Sequence, residues 1–481
     1  MLIYMDIPKQ VEKIIKDLKE KNYQAYAVGG CVRDVLRNIE PNDWDVTTNA
    51  KPEQIKKIFP KSFYENKFGT VTVLTNSKEN NLKEIEITTY RIDEKYSDKR
   101  HPDNIKFAKT IEEDLARRDF TINAIALDDK LIDPFNGQKD LEKKLIRTVG
   151  NANNRFNEDA LRMLRAIRFA CTLDFSIEEK TFKAIQKNSE SIQAISKERI
   201  RDELIKILKS NKASEGINLL QETGLLKYII PELDQGVGVS QNKHHIFDIY
   251  EHSLRSLNVA VEKEFNLEVR FASLFHDIGK PETKQGEGPD STFYNHDYVG
   301  AKFTFKILSR LKFPKKFVDK VALLVKNHMF VSDPERLTEA GARRILKRVG
   351  QENISDLINL RISDRLGMGR PKARPYRLRK VEYLIEKVSK DPISVKMLKI
   401  KGNDIMQLLN IEPGPKIGAI NDVLLSEVIE DPKKNTKQYL EKRTKELNKE
   451  NLEKLRKLAK GKIQEKKEEE DLKIKEKYWV K

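Results

Sequence analysis

Apolar residues recur at helical spacing from the first stretch of the chain onward. Val11, Ile14, Ile15 and Leu18 share one face of residues 9–21, which predicts an amphipathic helix. Residues 23–28 form a short apolar run, read as a strand, that leads into Gly29-Gly30. Residues 31–37 contain no breaker and predict a short helix. Asp43-Trp44-Asp45 then precedes the β-branched Val46, Thr47 and Thr48, a second strand, and Lys51-Pro52 opens a helix that lasts to Ile58. Residues 70–75 and 84–90 alternate as strands around a polar loop at 76–83. Mixed strands flanked by helices predict a small α/β head that ends near Gly150.

Beyond the head the period is helical throughout. Residues 156–172, FNEDALRMLRAIRFACT, predict one strong helix with Asn157 as its cap and Glu158-Asp159 in the first turn. Residues 196–208 and 213–226 add two helices and complete a neck. Residues 236–370 carry six of the seven histidines. The Arg/Lys-rich RPKARPYRLRK that opens the next stretch is read as an RNA-backbone patch, and with the helical stretch at 400–432 it makes 371–432 an expected helical RNA-binding region. Leu440, Leu447, Leu452, Leu455 and Leu458 mark a charged amphipathic helix that fades into KEEEDLKIKEK, expected to fray or stay disordered. The expected class is α+β: a mixed-sheet head, then an all-α remainder. The expected divisions are 1–150, 151–235, 236–370, 371–432 and a charged tail at 433–481.

Length, at 481 residues, already argues for several domains. The net charge of +17 favours a polyanionic partner, RNA or DNA, over an acidic small molecule. Part of that charge is tail, since residues 433–481 hold 18 Lys/Arg against 10 Asp/Glu. The body stays basic without it. Cys31 and Cys171 form no CxxC, so neither a disulfide framework nor a zinc site is implied. No apolar run approaches a membrane span and the first residues lack the form of a signal peptide, so a cytoplasmic protein is expected.

Four constellations carry chemistry. Gly29-Gly30 lets a turn pass close to a ligand, with a short helix behind it that suits phosphate. Asp43 and Asp45, two apart on a strand, project to one face, where they repel unless a cation sits between them; Mg²⁺ fits beside a nucleotide's phosphates. Glu84 and Glu86 also share a face, either as a third carboxylate at that metal or, as the favoured reading, on a solvent-facing edge. Asp159 and Arg162, three apart, would be neighbours on a helix. A carboxylate accepts from an exocyclic amine while a guanidinium donates to the acceptor beside it. Cytosine and adenine both offer that pattern; uracil and guanine reverse it. One Asp–Arg pair can therefore choose C and A without a template, and the alternative is an ordinary surface salt bridge. Last, His252, His276-Asp277, His296, His328 and Asp364 supply the imidazole and carboxylate ligands of a hydrolytic metal site.

The order strand, Gly-Gly, short helix, Asp-x-Asp strand resembles the nucleotidyltransferase superfamily that includes DNA polymerase β. The text GGxVRD followed by DxD resembles its branch of class II CCA-adding enzymes and bacterial poly(A) polymerases. The resemblance implies that Asp43 and Asp45 hold two Mg²⁺ ions and that Gly29, Gly30 and Arg33 cradle the triphosphate. LARRDFTINAIAL at 115–127 resembles the family's ribose-reading motif: Asp119 and Asn123 would bond the sugar hydroxyls, with Arg118 on phosphate or orienting Asp119. The alternative there is an Arg–Asp pair that braces the sheet. Glu158-Asp159 through Arg162 matches EDxxR, with Arg165 and Arg168 as phosphate or structural contacts. The polar stretch 91–107 resembles the flexible loop needed for the final A. SKERIRDEL matches the last motif, with Glu198 and Arg201 structural.

LFHDIGKP, with His252 before it and Asp364 after, resembles the HD phosphohydrolase superfamily. That likeness implies His252, His276, Asp277 and Asp364 as ligands, His296 and His328 as second-metal ligands, and Lys280 steadying a phosphate. A transition metal such as Mn²⁺, Ni²⁺ or Co²⁺ is the expected occupant, with a degenerate RNA-binding scaffold as the alternative. The implied function is template-independent addition of CCA to the 3′ end of tRNA from CTP and ATP, with the HD domain repairing phosphorylated ends. No obligate protein partner is evident. The rivals are a poly(A) polymerase, an enzyme adding only CC or only A, and an HD phosphohydrolase with an RNA-docking head.

Overall fold

The computed structural model describes residues 7–64, 69–94, 104–242, 246–330, 338–389 and 398–480. The chain forms two compact units, Met1–Lys326 with Asn359–Gly369, and Asn327–Ile358 with Arg370–Lys481.

The first unit begins with the helix Lys9–Glu20, whose Val11, Ile14, Ile15 and Leu18 are all buried. Each such side chain contributes roughly 1.5–3 kcal/mol of burial. They pack on one face of a seven-stranded sheet, against Ala25, Ala27, Val46, Ile85 and Ile87. The strand order, by residue range, is 62–64, 70–74, 84–89, 45–48, 25–28, 126–127, 131–132. Val28, Tyr90, Leu115, Ala124 and Ala126 cover the other face. Both sides of the strand Ala25–Val28 are thus filled, which fixes the Gly-Gly turn at its end.

The strand Asp45–Thr48 pairs antiparallel with Ala25–Val28 and parallel with Glu84–Thr89, so that Asp45 lies beside Glu86. Glu84–Thr89 is an interior strand of the sheet, not the edge expected for it. Glu86 does face outward, but from the middle of the sheet. Residues 91–107 are described at their ends only, where Arg91–Glu94 and Asn104–Phe107 pair as an antiparallel hairpin. The remainder of that loop lies outside the described residues.

The single helix expected at 156–172 is two helices, Ala152–Glu158 and Leu161–Leu173. Asn157 is interior to the first, whose cap is Asn151. The chain breaks at Asp159 because its carboxylate accepts from the Leu161 N–H at 2.9 Å and so caps the second helix. Helices Lys197–Lys209 and Ala213–Glu222 pack beside it, followed by Ile249–Glu262, Leu267–Phe275 and His296–Arg310.

The second unit is helical in its described residues. Leu440, Leu447 and Leu455 share one core with Leu398, Ile405, Ile420 and Leu424, so a boundary at 432 cuts through a single cluster. The charged tail, expected to fray, is the 27-residue helix Leu452–Tyr478. Its far end is held by a hydrogen bond and an ion pair: Asp471 accepts from the Tyr383 hydroxyl at 2.5 Å and pairs with Lys387 at 2.7 Å. No helix among the described residues is long and apolar enough to cross a membrane.

Candidate functional site

Gly29 occupies φ 87°, in the left-handed region. A Cβ there would meet the Arg118 guanidinium at 2.8 Å, a flexible tip that can shift, so it is the left-handed backbone that calls for glycine. The helix Gly30–Leu36 starts at the next residue and carries Arg33. Arg33 forks onto Asp34 and donates to the Asn123 Oδ1 at 2.8 Å. Asn123 in turn donates to Asp119 at 3.2 Å, and Arg165 donates to the other oxygen of Asp119 at 2.8 Å. Asp119 and Asn123 are therefore joined to each other and braced across to the neck, where the sequence suggested sugar contacts or a brace. Burial alone would raise the Asp119 carboxyl; Arg165 and Arg162 hold it down at about 2.

A cavity of about 370 Å³ opens beside this network. Asp45, Glu86, Arg118 and Asp119 line it from the head, and Asp159, Arg162, Arg165 and Arg199 from the neck. Asp43 lies one bend before the strand, which begins at Asp45, and is exposed. Burial pushes the Asp45 carboxyl up to about 6; Arg118 opposes the rise, while Asp43 and Glu86 add to it. Asp45 with Asp43 and Glu86 beside it forms a fitting oxygen donor set for a hard divalent cation.

Asp159 and Arg162 both face the cavity but do not pair with each other. Asp159 is held by Arg199 at 2.8 Å, and Arg162 by Glu158 at 2.5 Å and by the Arg117 carbonyl at 3.0 Å. The helix break at Asp159 explains the change of partners, since the two no longer follow one helical ladder. Arg168 pairs with buried Glu203 at 2.7 Å. The ring of Phe169 gathers the basic groups, with the guanidiniums of Arg33, Arg165 and Arg168 at 5.4, 5.4 and 3.8 Å.

Sequence reasoning missed Arg199, Phe169 and Glu203 and underrated Glu86. Arg199 lies 40 residues from its partner with nothing local to announce it. The parallel register of two strands brings Glu86 to Asp45, and that register cannot be read from either strand alone. Arg201, expected to be structural, donates to the Lys312 carbonyl at 2.6 Å.

The second cluster lies among the helices that follow the neck. His252 stands on Ile249–Glu262, His276-Asp277 follows Leu267–Phe275, and Asp364 is on Ile354–Gly367. All four are buried. His276 Nδ1 must donate to the Ser273 carbonyl at 2.8 Å, because a carbonyl only accepts. Its Nε2 therefore points inward, 3.0 Å from the Nε2 of His252 and 3.2 Å from Asp277. Asp364 lies 3.2 Å from the same His252 nitrogen. His296 makes the same arrangement, with Nδ1 on the Phe293 carbonyl at 2.7 Å and Nε2 toward Asp277 at 3.5 Å.

Two imidazole nitrogens that face each other at this distance need a proton or a cation between them. Burial disfavours a charged His276, yet Asp277 and Asp364 push its pKa up. Burial would likewise raise Asp364, but a hydrogen bond to His252 and the charges of His276 and Arg361 hold it far below the usual range. A metal ion fits where that proton now serves, and carbonyl-anchored imidazoles are the usual support of such ligands. Lys280 is pinned by Asp277 and Gln241, both at 2.6 Å, so it braces a ligand instead of standing free for phosphate. His328 belongs to the second unit.

Comparison with known proteins supplies independent observations. Residues 25–147 match the poly A polymerase head domain, 174–236 the probable RNA and SrmB-binding site of polymerase A, and 249–369 the HD domain. The chain is 36% identical over 334 residues to the A-adding tRNA nucleotidyltransferase of Deinococcus radiodurans, covering 66% of this chain and 75% of that one. It is 32% identical over 432 residues to the CCA-adding enzyme of Lactococcus lactis subsp. lactis, covering 89% and 94%. Matches to other curated CCA-adding enzymes span about half of their length. The crystal structure of the Bacillus stearothermophilus CCA-adding enzyme in complex with CTP superimposes with a TM-score of 0.60 at 29% identity, over 92% of this chain and 98% of that one.

Proposed function

Because the chain belongs to the class II CCA-adding branch of the tRNA nucleotidyltransferase and poly(A) polymerase family, with an HD domain, we propose that it completes the 3′ end of tRNA with C, C and A from CTP and ATP. The observation that carries this reading is the single cavity lined at once by Asp45 and Glu86 and by Asp159 and Arg162. Phosphoryl transfer needs the first pair; choosing a base without a template needs the second.

Asp43, Asp45 and Glu86 would hold Mg²⁺. When bound, the metal supplies activation of the RNA 3′-hydroxyl and charge neutralisation on the departing pyrophosphate. The remaining work falls to side chains. Gly29 keeps the turn low enough for a triphosphate to lie against Arg118, and Arg33 reaches it from the following helix. Asp119 and Asn123, fixed by Arg165 and Arg33, offer their remaining hydrogen-bonding capacity to the ribose. Asp159 accepts from the amine of cytosine or adenine, and Arg162 donates to the adjoining ring acceptor. Arg165 and Arg168 keep the neck positive beside the phosphates. Buried mismatches then exclude UTP and GTP.

In the second cluster, His252, His276, Asp277 and Asp364 would hold a transition metal, with His296 as a further ligand. Such a metal supplies an activated water for phosphate-ester hydrolysis. A tRNA end closed by a phosphate or 2′,3′-cyclic phosphate lacks the hydroxyl that the head requires, so hydrolysis there restores a substrate for addition.

The test uses tRNA that ends before CCA. CTP alone should extend it by two residues, ATP alone by none, and both together by three. Extension that begins only on tRNA already ending in CC would favour A-only addition, the activity in the name of the Deinococcus relative. Long A tails would favour a poly(A) polymerase.

A further inference from the structure

Beyond its carboxylates, the floor of the cavity carries two neutral hydroxyls. Asp45 faces Glu86 across two parallel strands, and Thr47 faces Thr88 two residues on. The antiparallel pairing of Glu84–Thr89 with Thr70–Leu74 then sets Thr70 against Thr88. Residues two apart on a strand, and residues directly opposite on neighbouring strands, share a face of the sheet. Thr88 and Thr70 therefore lie on the face of Asp45 and Glu86, one row further along, at roughly 7 Å. Thr47 is fully buried, and its hydroxyl is engaged by the Thr88 carbonyl and the Asp114 carboxylate, both at 3.2 Å. Thr70 and Thr88 line the cavity itself.

The two cavity hydroxyls bond each other at 3.3 Å, and neither hydroxyl has another partner among the described residues. Each hydroxyl brings one hydrogen and two lone pairs. A pair joined once keeps one free hydrogen and acceptor capacity on both oxygens. Its complement is a third hydroxyl, which gives and takes at once. The pair offers an anion no charge, and an apolar group would leave the free hydrogen unpaired.

The geometry of transfer says which hydroxyl comes here. The turn at Gly29 closes the strand on the other side of Asp45, and a Cβ there would lie 3.9 Å from the Asp45 carboxylate. The triphosphate and its departing pyrophosphate belong on that side. In-line displacement brings the attacking oxygen from the opposite side of the α-phosphorus. In the strand order that side is Glu84–Thr89 and then Thr70–Leu74. The attacking group is the 3′-hydroxyl of the RNA's last nucleotide, and its ribose neighbour is the 2′-hydroxyl, both donor and acceptor. We infer that Thr88 and Thr70 form the subsite for the ribose of the RNA's terminal nucleotide, their hydroxyl pair bonding its 2′-hydroxyl. The inference rests on the reading of the protein as an RNA-extending transferase, and adds to it a seat for the acceptor end that tells RNA from DNA. Neutral partners suit an end that moves on by one nucleotide after each addition, because no ion pair has to break.

The test removes a hydroxyl from each side of the contact in turn. Single-turnover addition of C by the full-length protein is measured on tRNA ending before CCA, its last nucleotide carrying either ribose or 2′-deoxyribose. The unaltered protein should extend the deoxy end roughly three- to tenfold more slowly, the weight of one neutral hydrogen bond. Thr88→Val and Thr70→Val keep the shape and lose the hydroxyl. Each should slow the ribose end by a similar factor and the deoxy end by no more than about twofold, so that the two ends are extended alike. Thr88→Ser should keep the difference between them, and the KM for CTP should stay within about twofold throughout. Equal extension of both ends by the unaltered protein overturns the inference. So do valine variants that slow both ends by the same factor, which would make the pair a cross-strand brace. Should one valine variant fold poorly, the other and the comparison on the unaltered protein still decide. Failure of the whole functional reading looks different, since the unaltered protein would then add no nucleotide to either end.

Discussion

The carboxylate of Asp159 is held by the guanidinium of Arg199 at 2.8 Å, although 40 residues separate the two. The same carboxylate caps the helix Leu161–Leu173. With two anchors in place, it presents a fixed set of lone pairs to the cavity, and a fixed acceptor is what lets hydrogen bonding discriminate between bases. Arg199→Ala should admit UTP and GTP, with a loss of about 1–3 kcal/mol in discrimination against the wrong base. Arg199→Lys should restore only part of it, because an ammonium cannot fork onto the carboxylate. Competition assays with all four nucleotides measure this. A variant that melts earlier yet keeps its preference for C and A would make Arg199 a brace and nothing more.

Asp119 gives a pH dependence with a definite sign. Burial works against its ionised form, but Arg165 and Arg162 hold its pKa at about 2. The folded value is thus below the unfolded one of about 3.9. Its contribution is complete above pH ~4 and is lost as pH falls toward ~2. The amount is on the order of 2 kcal/mol. Denaturant unfolding of the unaltered protein and of Asp119→Asn should show a gap that narrows across that window. Parallel stability curves from pH 7 to pH 2 would remove the claim.

Phe169 joins the arginine of the head to those of the neck. Phe169→Leu keeps apolar bulk but loses the aromatic face, at roughly 0.5–1 kcal/mol for each cation–π contact. The KM for CTP and ATP should rise roughly three- to tenfold with a modest fall in kcat. Phe169→Ala should in addition destabilise the fold by about 3–5 kcal/mol. Unaltered nucleotide KM in the leucine variant would confine the ring to a packing role.

How much of this was legible in the chain depends on how local each cause is. Helix Lys9–Glu20 and the central strands follow from the spacing of their own apolar residues, as does the turn at Gly29 from its glycines. The break at Asp159 is also local, but a capping carboxylate inside a helical period looks like an ordinary first-turn acid. Arg199 and Glu86 depend on long-range register and packing, which no window of sequence contains. The tail misled for a different reason. Its composition suggests a solvated chain, whereas distant partners such as Tyr383, Lys387 and Glu386 hold its end in place.

For the histidine cluster, metal content and hydrolysis should fall together. The protein should carry a bound transition metal by elemental analysis and hydrolyse a 2′,3′-cyclic nucleotide or an aryl phosphate with Mn²⁺, Ni²⁺ or Co²⁺. His276→Ala combined with Asp277→Ala should abolish both and spare addition to intact tRNA. An absence of bound metal, with no turnover on any divalent ion, would leave this region as scaffold.

If the Asp45 cavity performs the transfer, Asp45 is indispensable to it and not to tRNA binding. The most direct measurement is sequencing of tRNA 3′ ends after incubation with CTP and ATP, on the unaltered protein and on Asp45→Asn, alongside tRNA binding for both. CCA is expected on the unaltered protein's products and none on the variant's, with affinity for tRNA within about threefold, because phosphate contacts elsewhere dominate binding. CCA addition by Asp45→Asn at near-normal rate would contradict it.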